Sequence, residues 1–114
     1  MEQSDPAAYF DCPYLDARVE LSVDRERHIA GRDPDLLPAH RQLLAEVLAA
    51  PDQVRRSVRL STARLFSRWF DSLRGGKHIV IVVVSDPDPG GRHWIITAYL
   101  ARRIVEGEVE WKLV

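Results

Sequence analysis

Lys77-His78-Ile79-Val80-Ile81-Val82-Val83-Val84 is the stretch whose reading decides the fold. From Ile79 onward it is continuously apolar and mostly β-branched, the pattern of a strand buried on both faces. Asp86-Pro87-Asp88-Pro89-Gly90-Gly91 follows, dense in residues that set turns. Trp94-Ile95-Ile96-Thr97-Ala98-Tyr99-Leu100 reads as the next strand. The short Pro- and Gly-rich connection pairs it antiparallel to the first, with Thr97 on the strand beside that of Val82. Upstream, Arg64-Leu65-Phe66-Ser67-Arg68-Trp69-Phe70 puts Arg64, Phe66, Arg68 and Phe70 on one face and Leu65, Ser67 and Trp69 on the other. Gly75-Gly76 turns it into the central strand.

Working outward, strict alternation over 94–100 sets Ile95, Thr97 and Tyr99 against Trp94, Ile96, Ala98 and Leu100. Gly107 precedes a last edge strand over 109–114, and 57–60 reads as a weak strand. The best helix opens at Asp35 or Pro38 and carries Leu36, Leu37, Leu43, Leu44, Val47 and Leu48 at near-helical spacing. Pro51 ends it, and Asp52 caps one more turn through Gln53 and Val54. Residues 24–29 read as a helical turn capped by Asp24, 18–23 as a short half-buried strand, 9–15 as an irregular arm and 1–8 as a loose tail. The expectation is an α+β domain over 9–114, an N-terminal helical segment packed on a four-stranded antiparallel sheet.

A chain of 114 residues is one domain with a core that needs no staples. Cys12 is the only cysteine, so no internal disulfide is available. No apolar run approaches the ~20 residues that span a membrane, and no signal pattern opens the chain. The expected location is cytoplasmic, with no membrane partner. The net charge of -1 hides an asymmetry: residues 1–54 sum to -6 and residues 55–114 to +5. Between Arg55 and Lys77 seven basic residues face one acid, Asp71. Such a stripe suits an anionic partner such as nucleic acid, or is a solvated face balanced by the acidic half.

No glycine-rich phosphate loop, metal-spaced His/Cys cluster or nucleophile elbow is present, so no cofactor and no metal are expected. His28 reads as a surface or cap histidine, or as a general base. Arg68 reads as a stem packed on aromatic rings, or as a phosphate clamp. Lys77 opens a strand, and Thr97 suits a strand by propensity alone. Taken together, a base, two cations and a hydroxyl on a basic sheet form the minimum kit for metal-free RNA cleavage.

Cys12-Pro13-Tyr14-Leu15, Val19-Glu20-Leu21, His28-Ile29 with Arg32 and Pro34, and Pro51-Asp52-Gln53-Val54 stand in that order. Leu65-Phe66-Ser67-Arg68, Lys77 before the Val-rich strand, Ile96-Thr97-Ala98-Tyr99-Leu100 and Gly107-Glu108 before Trp111 follow. Over residues 9–112 this order resembles the Barnase-EndoU-colicin-RelE type nucleases, specifically the phage-associated group. The resemblance implies a metal-independent, toxin-like endoribonuclease with His28, Arg68, Lys77 and Thr97 at its site. Arg32, Arg64, Trp69 and Tyr99 would contact RNA, and an antitoxin or immunity protein would be a second partner. His28 would take the proton of a ribose 2′-OH as it attacks the adjacent phosphate, while Arg68 and Lys77 stabilise the developing charge. The chain departs from that pattern at Asp33, where relatives have a second histidine, and at Ser67, where many have tyrosine. The alternative is a relative that binds RNA or protein without cutting.

Overall fold

The computed structural model describes residues 5–114. The elements run β1 (Pro6–Cys12), a 3-10 turn (Pro13–Leu15), β2 (Ala17–Ser22), α1 (Val23–Arg32), α2 (Arg41–Ala49), β3 (Gln53–Arg56), β4 (Ala63–Phe70), β5 (Lys77–Ser85), β6 (His93–Ala101) and β7 (Glu108–Lys112). They join one sheet in the order β1-β2-β6-β5-β4-β3-β7. Neighbours are antiparallel except β2 and β6, which run parallel through the Glu20–Trp94 pair.

This corrects the expected four-stranded antiparallel sheet to a mixed one of seven strands, still α+β-like in content. Residues 9–15 are not an irregular arm. They supply most of β1 and the turn after it, and β1 pairs with β2 through Phe10–Val19 and its neighbours. Gln53 and Val54 do not extend the helix but enter β3, because β4 and β7 offer them partners on both sides. Pairing across the chain overrides weak local pattern in short polar strands. Residues 57–60 form no strand and link β3 to β4. Of the tail expected over 1–8, residues 1–4 lie outside the described residues and Pro6–Ala8 belong to β1.

The first helix starts where a backbone N–H group finds a side-chain acceptor. Ser22, not Asp24, caps α1: its hydroxyl accepts the Arg25 N–H at 3.1 Å. The Asp33 carboxylate then accepts the Leu100 N–H at 3.2 Å, tying the end of α1 to β6. α2 opens only at Arg41, and Leu36 and Leu37 enter the core from the turns before it. Both helices lie on one face of the sheet. There Phe66, Ile79, Ile81, Val83, Ile95 and Ala98 meet Ile29, Leu44, Val47 and Leu48 in the buried core.

The expected pairing of Val82 with Thr97 is present, but the faces of β6 differ from strict alternation. The register slips between the Val82–Thr97 and Val83–Ile95 pairs, leaving Ile96 as the extra residue of a bulge. One extra residue exchanges the faces on one side of it. Ile95, Ala98 and Leu100 therefore share the core face, and Trp94, Thr97 and Tyr99 share the outer face.

Two further features shape the sheet. Seven flat strands would hold β1 and β7 about 29 Å apart. Yet Tyr14, just after β1, stacks edge-on to Phe66 of β4 at 5.8 Å and lies 6.0 Å from the Trp111 ring of β7. The sheet is thus curled around its helices. In addition, β6 ends with Ala101 beside His78 while β7 begins with Glu108 beside Arg56, at the opposite end and with three strands between them. Residues 102–107 must cross the outer face diagonally to connect them. Leu65, Ser67 and Val80 are buried on this face, and Arg55, on the same face, donates to the Glu106 carbonyl of the crossing segment at 3.2 Å.

Gly76 sits at φ +92°, and a Cβ there would enter the Trp69 ring. Gly76→Ala is expected to cost about 1–2 kcal/mol by strain and displacement of the indole. Urea unfolding reads the loss; an unchanged midpoint would show that the turn and Trp69 move aside freely.

Candidate nucleic-acid interface

Of the four residues singled out from the sequence, Thr97 lies on the opposite face of the sheet from Arg68. His28 is exposed on α1, whose inward residue is Ile29, and among the described residues no hydrogen bond or ion pair joins its ring to Arg68, Lys77 or Thr97. Arg68 pairs with Ile79 on the helix-covered face, where its Nη1 donates to the carbonyls of Ala50 at 3.3 Å and Glu46 at 3.5 Å. Lys77 opens β5 opposite Phe70, and its Nζ donates to the Arg74 carbonyl at 3.0 Å. Thr97 lies on the outer face with Val82 and Leu65. The sheet therefore stands between Thr97 and Arg68.

The four residues expected to touch RNA divide in the same way. Arg32 is exposed in the last turn of α1. Arg64 faces the helix side and is held by Glu110 at 2.8 Å. Trp69 and Tyr99 belong to the outer face. Trp69 packs against His78 with ring centroids 4.9 Å apart and donates its Nε1–H to Asp71 at 2.7 Å. Burial, and then the charge of Glu106, raises the Tyr99 phenol above its ordinary pKa, so it stays a neutral hydrogen-bond donor.

Beyond the crossing segment a groove of about 370 Å³ runs from the outer face, with Tyr9, Arg18, Glu20 and Arg92, over the end of the strands to Ala17, Gly91 and His93. Tyr9 pairs with Glu20 and Glu20 with Trp94, so one row runs across β1, β2 and β6. The Arg18 guanidinium lies 4.4 Å over the Tyr9 ring, and that of Arg92 lies 5.7 Å from the Trp94 ring. Glu20 sits between them, paired with Arg92 and within 3.4 Å of the Tyr9 hydroxyl. At the rim, His93 Nδ1 meets the Ser85 hydroxyl at 2.7 Å. Burial, then the charge of Arg64, lowers the His93 pKa against the opposing pull of Asp86, so the ring is neutral at pH 7.

Tyr9, Arg18, Glu20, Arg92 and His93 escaped the reading of the sequence. They lie in segments read as an arm and a short strand, or between a turn and the strand after it, and only the β1–β2–β6 pairing brings them together. Guanidinium planes backed by flat rings can stack a planar base, set cations near its phosphates and offer a carboxylate to its amino group.

Among the described residues no group of three or more His, Cys, Asp or Glu side chains could hold a metal ion, and no helix is long and apolar enough to cross a membrane. No protein-family model, no curated protein and no solved structure matches the chain.

Proposed function

We propose that this chain is a binding module for single-stranded RNA, which it holds on the outer face of the sheet without cutting it. The observation that carries the reading is the pair of outward rings, Tyr9 and Trp94, each under an arginine in one cross-strand row. A base would stack in the groove and Arg18 would reach its phosphate. Glu20 would accept from an exocyclic amino group, and the next nucleotides would follow β6 past Thr97 towards Tyr99. The cleaving alternative needs His28, Arg68, Lys77 and Thr97 around one phosphate, and Thr97 lies across the sheet from Arg68.

The test is fluorescence anisotropy of a labelled twelve-nucleotide RNA with the full chain in EDTA. Saturable binding is expected to weaken with salt, and Arg18→Ala to flatten the salt slope by about 0.7. Tyr9→Ala and Trp94→Ala should each weaken binding about tenfold, the scale of one lost stacking contact. Variants that bind like wild type, or no binding up to ~100 µM, would end this reading. Running the same mixtures on a denaturing gel separates the rival. Fragments with 2′,3′-cyclic phosphate ends that vanish in His28→Ala would make the chain a nuclease.

A further inference from the structure

On the helix-covered side, away from the outer groove, a cleft of about 520 Å³ opens between the end of α2, the turn after β1 and the β7 edge. Its walls are mainly apolar: Pro13, the Tyr14 ring, Ala49, Pro51, Trp111 and Leu113. Its size and character are those of a small-molecule site, in which a few fixed polar groups orient a mostly apolar ligand.

Arg68 is the one cation of the cleft lining. Both of its hydrogen bonds use Nη1 and go to backbone carbonyls at the end of α2, at 3.3 and 3.5 Å. Capping a helix end explains that nitrogen. It leaves the Nε and Nη2 hydrogens without an acceptor among the described residues, and the charge, 5.5 Å from the Phe70 ring, is paired with no carboxylate among them. The nearby acid does not supply one. Asp52 Oδ2 accepts the Trp69 N–H at 2.8 Å, and the Asp52 backbone is engaged by Ser67 and Leu113. The Tyr14 hydroxyl is likewise committed to Glu110 at 2.5 Å, so only its ring faces the cleft. A half-buried guanidinium with an unused fork beside apolar walls suits a carboxylate, which accepts two parallel N–H bonds.

We propose that this cleft binds a small carboxylic acid with a flat apolar body, its carboxylate on Arg68 and its body between Tyr14, Pro51 and Trp111. The site is independent of the RNA reading, since it lies on the other side of the sheet.

The test titrates the full chain with 1-naphthaleneacetate and, separately, with its neutral amide, followed by two-dimensional NMR. The acid is expected to bind with a Kd of about 1 mM or tighter, with shifts centred on Tyr14, Ala50, Asp52 and Trp111. The amide should bind about tenfold more weakly. Arg68→Gln should bring the acid down to the level of the amide, while Arg68→Lys, which keeps the charge but not the fork, retains only part of the preference. Equal binding of acid and amide by wild type, a preference that survives Arg68→Gln, or shifts that miss the cleft would each overturn the proposal. If Arg68→Gln fails to fold, the wild-type comparison and Arg68→Lys still decide it.

Discussion

Phe66→Ala is expected to lower the unfolding free energy by about 3–5 kcal/mol, the range for truncating a fully buried aromatic ring. Phe66 is fully buried in β4 between Val54 and Ile81. Its ring also supports Tyr14, the residue that carries the curl of the sheet from one edge to the other. That edge-to-face pair adds about 0.5–1.5 kcal/mol beyond burial. Because such domains hold only about 5–15 kcal/mol in total, the variant should melt at least 10 °C lower or lose its cooperative transition. Phe66→Leu, which keeps most of the volume, should lose about 1.5 kcal/mol. Thermal and urea unfolding read both variants, and equal losses in the two would mean that cavity formation is not the cause.

Glu110→Gln is expected to cost about 1–2 kcal/mol near pH 7, the scale of charge-assisted hydrogen bonds in a network once solvent screening on the exposed β7 edge is discounted. Glu110 Oε1 accepts from Arg56 at 2.9 Å, and Oε2 from Arg64 at 2.8 Å and Tyr14 at 2.5 Å. Burial alone raises its pKa, but the Tyr14 and Arg64 hydrogen bonds, the Arg64 charge and the Arg56 hydrogen bond together lower it. A depressed folded pKa means that the carboxylate stabilises the fold above its ordinary value of 4.5. That contribution is lost as pH falls below this value and through the depressed folded pKa. The gap between wild type and Glu110→Gln should therefore be widest at neutral pH and close in acid. A gap that stays constant down to pH 3 would exclude the carboxylate as its source.

The central strands were legible because their signal is local. β5 is an apolar β-branched run between turn residues, and the faces of β4 follow its alternation without interruption. β1 and β3 were not legible as strands, because Tyr9 to Cys12 is aromatic and polar and Gln53 to Arg56 nearly all polar. Only their partners make them strands. The faces of β6 were misread for a different reason: nothing in Trp94-Ile95-Ile96-Thr97 marks which residue will be extra in a bulge. That single residue decides that Trp94 joins Thr97 and Tyr99 outside. Thr97 and Arg68, expected together, fall on opposite faces for a related reason: spacing along a chain says nothing of which side of a sheet two distant strands present.

The parallel β2–β6 junction has a consequence in time. Glu20 and Trp94 meet across 74 positions of chain, and Arg56 meets Glu108 across 52. The antiparallel meander of β4, β5 and β6 can zip from short turns, but the first and last strands must wait for loop closures of this length. Pairings so distant in sequence slow folding and belong to its late stages. A ribosome-bound chain that has not yet extruded Trp94 holds no β1–β2–β6 row at all. Because Phe10, Val19, Leu21 and Ile95 of these strands belong to the buried core, the outer groove and that part of the core form together, at the last step of the sheet.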